Sequence, residues 1–421
     1  MKKELKSAML AFAVVASTFT SCSNDAEEPV VNPDGAKGSI ALTIKTGELN
    51  TRAVTTTQTA AESKLNTVSV LVFRGSGAGN LEKIVDLNVG TDLLPAGTNQ
   101  YTLNTPIEVI AEANKKIVLV GNISTSIKNK IVAEGMNALG ATYNETLARL
   151  TEADKFVMAS AVLTENVSVS NTAITPLLLN NGNPIDLERL AAKVAVVHSL
   201  SGTEVSVAGG TIALTSVKYS VDNVNTLFNL VTTGQKSPFI AFVPPIANVF
   251  NDVVKDPNGP VNNSFYVMEN IAKSTADDAT YARVRCKFVP SSVLNGSGTT
   301  GTYSPNGTFA ILAMANGTVA FFESAAAAQN FQTNNPSLVA PGATVIEYKE
   351  GLCDYGITLE KNPGEFDVVR NTYYVITITG FGGIGIPTDP LTPIPPTSNG
   401  SIKFDVKVKD WEGSFNDQTL S

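Results

Sequence analysis

The sequence predicts an all-β protein with minor helices, two β-sandwich domains in tandem followed by a C-terminal strand on a proline-rich tether. Three observations carry this expectation. Only 16 % of the 421 residues are charged and 43 % are hydrophobic, with Thr, Val, Asn, Ser and Gly abundant, a mixture suited to half-buried strands joined by tight turns. Short apolar segments punctuated by Gly, Pro and Asn recur along the chain, as in sandwiches. The turn-rich "NNGNP" at 180–184 separates two such series and sets the boundary between domains at 53–185 and 186–386.

The chain opens with an export signal. Lys2, Lys3 and Lys6 form a positive region, and "AMLAFAVVASTF" supplies an apolar stretch too short to span a bilayer. Residues 1–21 therefore read as a signal peptide. Cys22 in "FTSCSND" follows small residues, as in the lipobox of bacterial lipoproteins, although Phe19 and Thr20 depart from the usual Leu-Ala. The polar "SNDAEEPVVNPDGAKG" then reads as a tether leaving a membrane surface.

Strands follow in order. "SIALTIKT" (39–46) alternates Ile40, Leu42 and Ile44 with polar neighbours, and "TVSVLVFR" (67–74) is apolar on both faces. "KKIVLVGNIS" (115–124) is continuously apolar, as a central strand would be, and "YNETLARLTEADKF" (143–156) is the best helix candidate. After "DLERLAAKVAVVHSL" (186–200) come "TIALTSVKYSV", "YARVRCKFVP", "GTFAIL", "GTVAFFES" and "NTYYVITITG", with "SAAAAQNFQ" (324–332) as a helical insertion. The run "IPTDPLTPIPPTSNG" carries five prolines between Pro387 and Pro396, and proline fixes φ and lacks an N–H, so 387–400 reads as a hinge. In 401–421, Ile402, Phe404, Val406 and Val408 alternate with Lys403, Asp405, Lys407 and Lys409, and Trp411 follows.

Chemistry-bearing motifs are sparse. A net charge of −8 with no basic cluster beyond the first residues argues against nucleic acid. "GFGGIG" places Gly380, Gly382 and Gly385 in dinucleotide spacing, but the prolines that follow cannot open the helix this motif requires. His198 lies in an apolar strand without a neighbouring partner. "NDVVKDPNGPVNN" (251–263) lacks the ordered spacing of a calcium loop and reads as a solvated turn. Cys286 and Cys353 have the option of pairing outside the cytoplasm, with buried free thiols as the alternative. No cofactor, metal or catalytic constellation is expected.

The two ends belong together. The segment "GELNTRAVTTTQTAAESK" after the first strand is polar and without apolar periodicity, so it is expected to be exposed and open to proteases. Arg52 is the only arginine in the first 70 residues, and a trypsin-like protease cutting between Arg52 and Ala53 would release the preceding strand. A sandwich that loses a strand has an apolar groove flanked by unpaired N–H and C=O groups. The tail, held extended and off its own body by its prolines, is a candidate filler, reaching about 40 Å as a strand.

Several stretches then resemble one family: Cys22, "TRA" at 51–53, "RLAAKVAV" (189–196), "YARVRCKFVP" (281–290), "VVRNTYYVITI" (368–378) and "FDVKVKDWEG" (404–413) are similar to Bacteroidia-type fimbrial subunits, the type V pilins. The resemblance implies two transthyretin-like β-sandwich domains, lipidation at Cys22, and delivery through the outer membrane to the cell surface. It also implies that 22–52 is a propeptide removed by an Arg-specific protease. Residues 402–411, with Ile402, Phe404, Val406, Val408 and Trp411, would be donated to neighbouring copies of the same chain. Accessory tip and anchor subunits would be further partners. A tip subunit is expected to lack a free tail strand and an anchor to lack the arginine cleavage, so a shaft subunit is preferred. A monomeric glycan-binding lipoprotein would show exposed aromatics, yet the single tryptophan lies in the tail.

Overall fold

A computed structural model describes residues 35–46, 59–75, 80–231, 249–257, 261, 263–271, 279–304, 307–360, 364–388 and 402–411. Cys22, Arg52, Ala53 and the hinge beyond Thr388 lie outside the described residues. Strands dominate and helices are few. The N-terminal sandwich sets a three-stranded sheet against a nine-stranded one. Ile40, Ile107 and Val109 from the small sheet share a core with Val68, Val70, Ile117 and Leu119 from the large one. The strands Thr67–Phe73 and Glu112–Gly121 are apolar on both faces because both are covered. Leu71, Phe73, Val118 and Val120 pack outward against the helix Thr125–Glu134 and against Phe228 and Leu230.

The C-terminal sandwich pairs a five-stranded with a seven-stranded sheet. Its core draws Val194, Val196, Tyr374 and Ile376 from the first and Ile212, Tyr219, Val284 and Phe288 from the second. A smaller layer, Phe309–Ala313 between Val319–Phe322 and Ile346–Tyr348, rests on the helix Ala325–Asn334. Ser324 caps that helix, its hydroxyl accepting the Ala327 N–H at 3.1 Å.

Several expectations are corrected here. The strand Ile185–Arg189 pairs within the N-terminal sheet, and the chain enters the second sandwich only at Ala191. "NNGNP" is thus a turn inside the first domain, with Asn180 and Asn181 both at φ 54°, a conformation Asn tolerates. Of "YNETLARLTEADKF" only Leu147–Leu150 is helical, a single turn too short for its Leu spacing to build a face. The longer helix Thr125–Glu134 lies in a segment not read as helical, capped by Ser124 and closed by Gly135 at φ 58°. The end of the segment expected to be exposed is fixed: Ala60–Ser63 forms a helical turn with a capping box between Thr59 and Glu62, and Glu62 is 1 % exposed.

"YARVRCKFVP" contributes Arg283, fully buried between Asp222 and Asp354, with Arg285 bonded twice to Asp354 at 2.8 and 2.9 Å. Burial raises the Asp222 carboxyl while the Arg283 charge opposes that rise. Removing the guanidinium leaves Asp222 without its counter-charge in the interior. Arg283→Met is expected to lower stability by about 3–5 kcal/mol, read as a lower urea midpoint with an unchanged slope.

Candidate functional site

The segment 37–46 is the one on which the N-terminal sandwich closes. Lys37–Ala41 runs between Ile107–Ile110, antiparallel, and Leu177–Leu178, parallel. Thr43–Thr46 runs between Gln100–Leu103, antiparallel, and Ile185–Arg189, parallel. The segment therefore passes from the small sheet to the large one at Leu42 and is paired on both sides in each. Ile40 and Ile44 are fully buried and Leu42 nearly so, each contributing about 1.5–3 kcal/mol by removal of apolar surface from water. Gly38 is required by its surroundings: a Cβ there would stand 2.5 Å from the Ser168 carbonyl oxygen and 2.7 Å from Val167 Cγ1.

The tail is not held off its own body. Ile402–Asp410 pairs antiparallel with Thr372–Phe381 of its own C-terminal domain, with a register shift between Ile378 and Gly380. The prolines before it restrict their own φ and donors but not where the next strand finds a ladder, and the exposed edge of Thr372–Phe381 offers one. Ile402 and Val406 are buried, whereas Phe404 and Val408 are only half-buried. Among the described residues the tail has a strand on one side only. It is an edge strand; 37–46 is an inner one.

Trp411 closes the tail over the joint between the domains and joins the N-terminal core. Its ring stacks on Tyr266 at 5.6 Å between centroids and meets Phe156 edge-on at 5.9 Å. The Arg189 guanidinium lies 5.0 Å from the ring centre. Its indole N–H donates to Glu62 Oε2 at 3.2 Å, and its backbone N–H to the Asn371 carbonyl at 3.2 Å. Glu62 also accepts from Lys193 Nζ at 2.8 Å, from the Tyr266 hydroxyl at 2.5 Å and from the Thr59 N–H at 2.7 Å. Arg189 Nη1 donates to Asn371 Oδ1 at 2.9 Å, and Asn371 sits at φ 53°. Three of the family-like stretches, "RLAAKVAV", "VVRN" and "DWEG", therefore meet at one buried point. Glu62 was not singled out in the sequence. The available signal was the S/T-x-x-E pattern Thr59–Glu62 ahead of a strand.

Other expected positions carry less. Cys286 and Cys353 stand opposite each other on Tyr281–Pro290 and Leu352–Thr358, both buried, as free thiols 3.4 Å apart; burial pushes the Cys286 thiol up. His198 is buried at the end of Ala191–His198, and burial, aided by the Lys255 charge, holds its pKa down. The glycine run is followed by the short strand Ile386–Pro387, beside Cys353 and Asp354, and not by a helix; Pro387 thus belongs to a sheet edge and not to the hinge. No group of three or more metal-ligating side chains occurs among the described residues.

Burial acts to raise the Glu62 carboxyl, but the Lys193 charge and the hydrogen bonds from Lys193, Tyr266 and Thr59 outweigh it, and the net result is a lowered pKa. A carboxyl lowered in the fold contributes stability that is present above its ordinary value of about 4.5 and lost as pH falls through its folded value. Trp411, as the only tryptophan, reports the event directly. Its emission is expected to stay blue above pH 5 and to shift red, with rising acrylamide quenching, below about 4.5. Glu62→Gln, which leaves Lys193 without its counter-charge, is expected to show the red-shifted emission already at neutral pH.

Two family models match the chain: "Major fimbrial subunit protein (FimA)" over residues 36–215 and "Major fimbrial subunit protein type IV, Fimbrillin, C-terminal" over 346–417. No curated protein matches it. Among solved structures, a putative cell adhesion protein from Parabacteroides distasonis is 15 % identical, with 91 % of this chain and 100 % of that one covered at a TM-score of 0.51, a likeness of fold. A fimbrilin (FimA) from Porphyromonas gingivalis is 16 % identical over 88 % of this chain and 97 % of that one, at a TM-score of 0.47. The tip fimbrial protein Mfa3 from the same organism, with a C-terminal truncation, is 13 % identical over 89 % and 100 %, at 0.47. One model matches the first sandwich, its closing strand and the opening strands of the second, and the other matches the last strands of the second sandwich and the tail. The two together span more than half of the chain, which belongs to the fimbrillin family of Bacteroidia-type fimbrial subunits.

Proposed function

We propose that this fimbrial subunit is a shaft pilin that polymerises by protease-triggered strand exchange. It is exported as a lipoprotein acylated at Cys22 and held at the outer membrane until cleavage between Arg52 and Ala53. The cut separates 37–46 from the rest of the chain. That strand then has no covalent hold and leaves a groove between Ile107–Ile110 and Leu177–Leu178, continuing between Gln100–Leu103 and Ile185–Arg189. The tail of a second copy enters the groove, and Ile402, Phe404, Val406 and Val408 supply the apolar row.

The observation that carries this reading is the asymmetry between the two strands. The one upstream of Arg52 is inner, buried and paired on both sides; the tail is an edge strand with half its apolar row partly exposed. Moving from edge to groove lets the tail form a second ladder and bury Phe404 and Val408, as in β-strand addition. Because the donor and the groove lie on different domains, each joined copy leaves one free tail and one free groove, and the contact repeats without closing. A tip subunit would do without the free tail strand and an anchor without the cut at Arg52, and the sequence of this chain carries both.

Limited trypsin treatment of the full chain is expected to remove residues up to Arg52 and to yield SDS-resistant ladders. Arg52→Ala should remain a monomer under the same treatment. A chain ending at Gly400 should fold, lose its leader and form no ladder. Ladders from that truncated chain, or processed molecules in which every tail remains on its own Thr372–Phe381 strand, would overturn the assignment.

A further inference from the structure

We infer that the tail enters its neighbour's groove in one register, with residues 400–408 standing where 38–46 stood and Gly400 as the residue that fixes it. The inference rests on the strand-exchange reading above and adds to it the alignment of the two strands. "GSIALTIKT" (38–46) and "GSIKFDVKV" (400–408) run in the same direction and share Gly, Ser and Ile at their start and Lys near their end. Gly400 and Ser401 lie outside the described residues and enter here by sequence alone.

Each position of the groove tests the alignment. At Gly38 the Ser168 carbonyl leaves no room for a Cβ, and the tail offers Gly400. A shift of two residues one way would set Ile402 against that carbonyl. A shift of two the other way would put Ser398 there and leave the fully buried Ile40 place to a glycine. A shift of one would turn Lys403, Asp405 and Lys407 into the core. Ile402 and Val406 stand in for Ile40 and Ile44. Phe404 for Leu42 is the one enlargement, and the groove must give there. Lys403 replaces the half-exposed Ala41, beside the exposed Leu178, where its methylenes can lie along the leucine. Asp405 replaces Thr43, whose hydroxyl lies 3.2 Å from that of Thr102, so a carboxylate there can accept from Thr102.

The last position favours the tail over the strand it replaces. Among the described residues the buried Thr46 hydroxyl has no hydrogen-bond partner, a cost in a folded interior. Val408 has the same shape with a methyl in place of the hydroxyl. The precursor's own strand therefore fits its groove less well than the incoming tail does at this place, which favours exchange once the leader is cut.

Cysteine pairs read the register. In the full chain cut with trypsin, Thr102→Cys with Asp405→Cys is expected to cross-link between molecules through a short bis-maleimide, because Thr43 and Thr102 are register partners. In the uncut chain, where Asp405 faces Thr377, it should not. Cross-linking of Thr102→Cys to Lys403→Cys or Lys407→Cys instead would overturn the register while leaving strand exchange intact. Failure of all three pairs in processed protein would overturn exchange into this groove and the register with it. Gly400→Val is expected to lower the rate of ladder formation roughly tenfold or more, as a β-branched side chain meets a backbone carbonyl. Asn399→Val, one place beyond the groove's tight point, should leave that rate near its original value. Equal rates for the two variants would count against Gly400 as the fixing residue.

Discussion

An inner β-strand is held by two ladders and two layers of side chains, and the N-terminal sandwich depends on one such strand that the rest of the domain cannot supply. Residues 37–46 stitch the small sheet to the large one, so both lose a member together if the segment leaves. The backbone groups of Ile107–Ile110 and Gln100–Leu103 on one side, and of Leu177–Leu178 and Ile185–Arg189 on the other, would then face an apolar slot that water satisfies poorly. A domain built this way stays closed only while some strand occupies the slot. The identity of that strand is a matter of connectivity and concentration, which is where processing can act.

The second constraint is the joint around Glu62. This carboxylate lies shortly after the proposed cleavage point and is gripped by Lys193, Tyr266 and the Thr59 N–H. The new N-terminus would therefore remain anchored at the domain joint after a cut, and only the strand before it would be free to go. Trp411 rests on the same cluster. The tail of the uncut chain is thus fastened at both ends of its strand, through Ile402 in the C-terminal core and Trp411 in the N-terminal one. Buried ion pairs of this kind add modest net stability but exact a large cost when one partner is lost. Such a fastening suits a joint that must hold one arrangement until a better one is offered.

Much of the fold was legible. Alternation in "SIALTIKT" and in the tail, and the two-sided apolar runs "TVSVLVFR" and "KKIVLVGNIS", became the strands they suggested because burial on one face or two writes itself into the period. The misses have physical causes. The helix Thr125–Glu134 has an apolar stripe of only Ile127 and Ile131, too thin to stand out beside strongly patterned strands. "NNGNP" looked like a linker because left-handed Asn and Gly mark any sharp turn, inside a domain or between domains. Glu62 and Lys193 are charged residues in the interior, and polarity in a sequence reads as exposure unless the partner, here more than a hundred residues away, is known. The tail's position on its own domain was missed because proline content describes the tether and says nothing about the edge that awaits the strand beyond it.

The observed site of the tail and the proposed one make different demands on its sequence. On its own domain, Ile402 and Val406 of the apolar row are buried while Phe404 and Val408 of the same row are only half-buried, so the strand is stable yet not fully used. An edge position is also the one from which a strand can leave without tearing an inner ladder. On the proposed route the receiving groove asks for the complete row, including a glycine at its narrow end and an aliphatic side chain where Thr46 buries a hydroxyl that finds no partner among the described residues. The sequence of the tail satisfies the groove's demands more fully than those of its resting site. Before cleavage the groove is filled by a strand of the same chain, whose covalent attachment gives it an effective concentration no separate molecule can match. After cleavage that advantage is gone, and the comparison is left to fit.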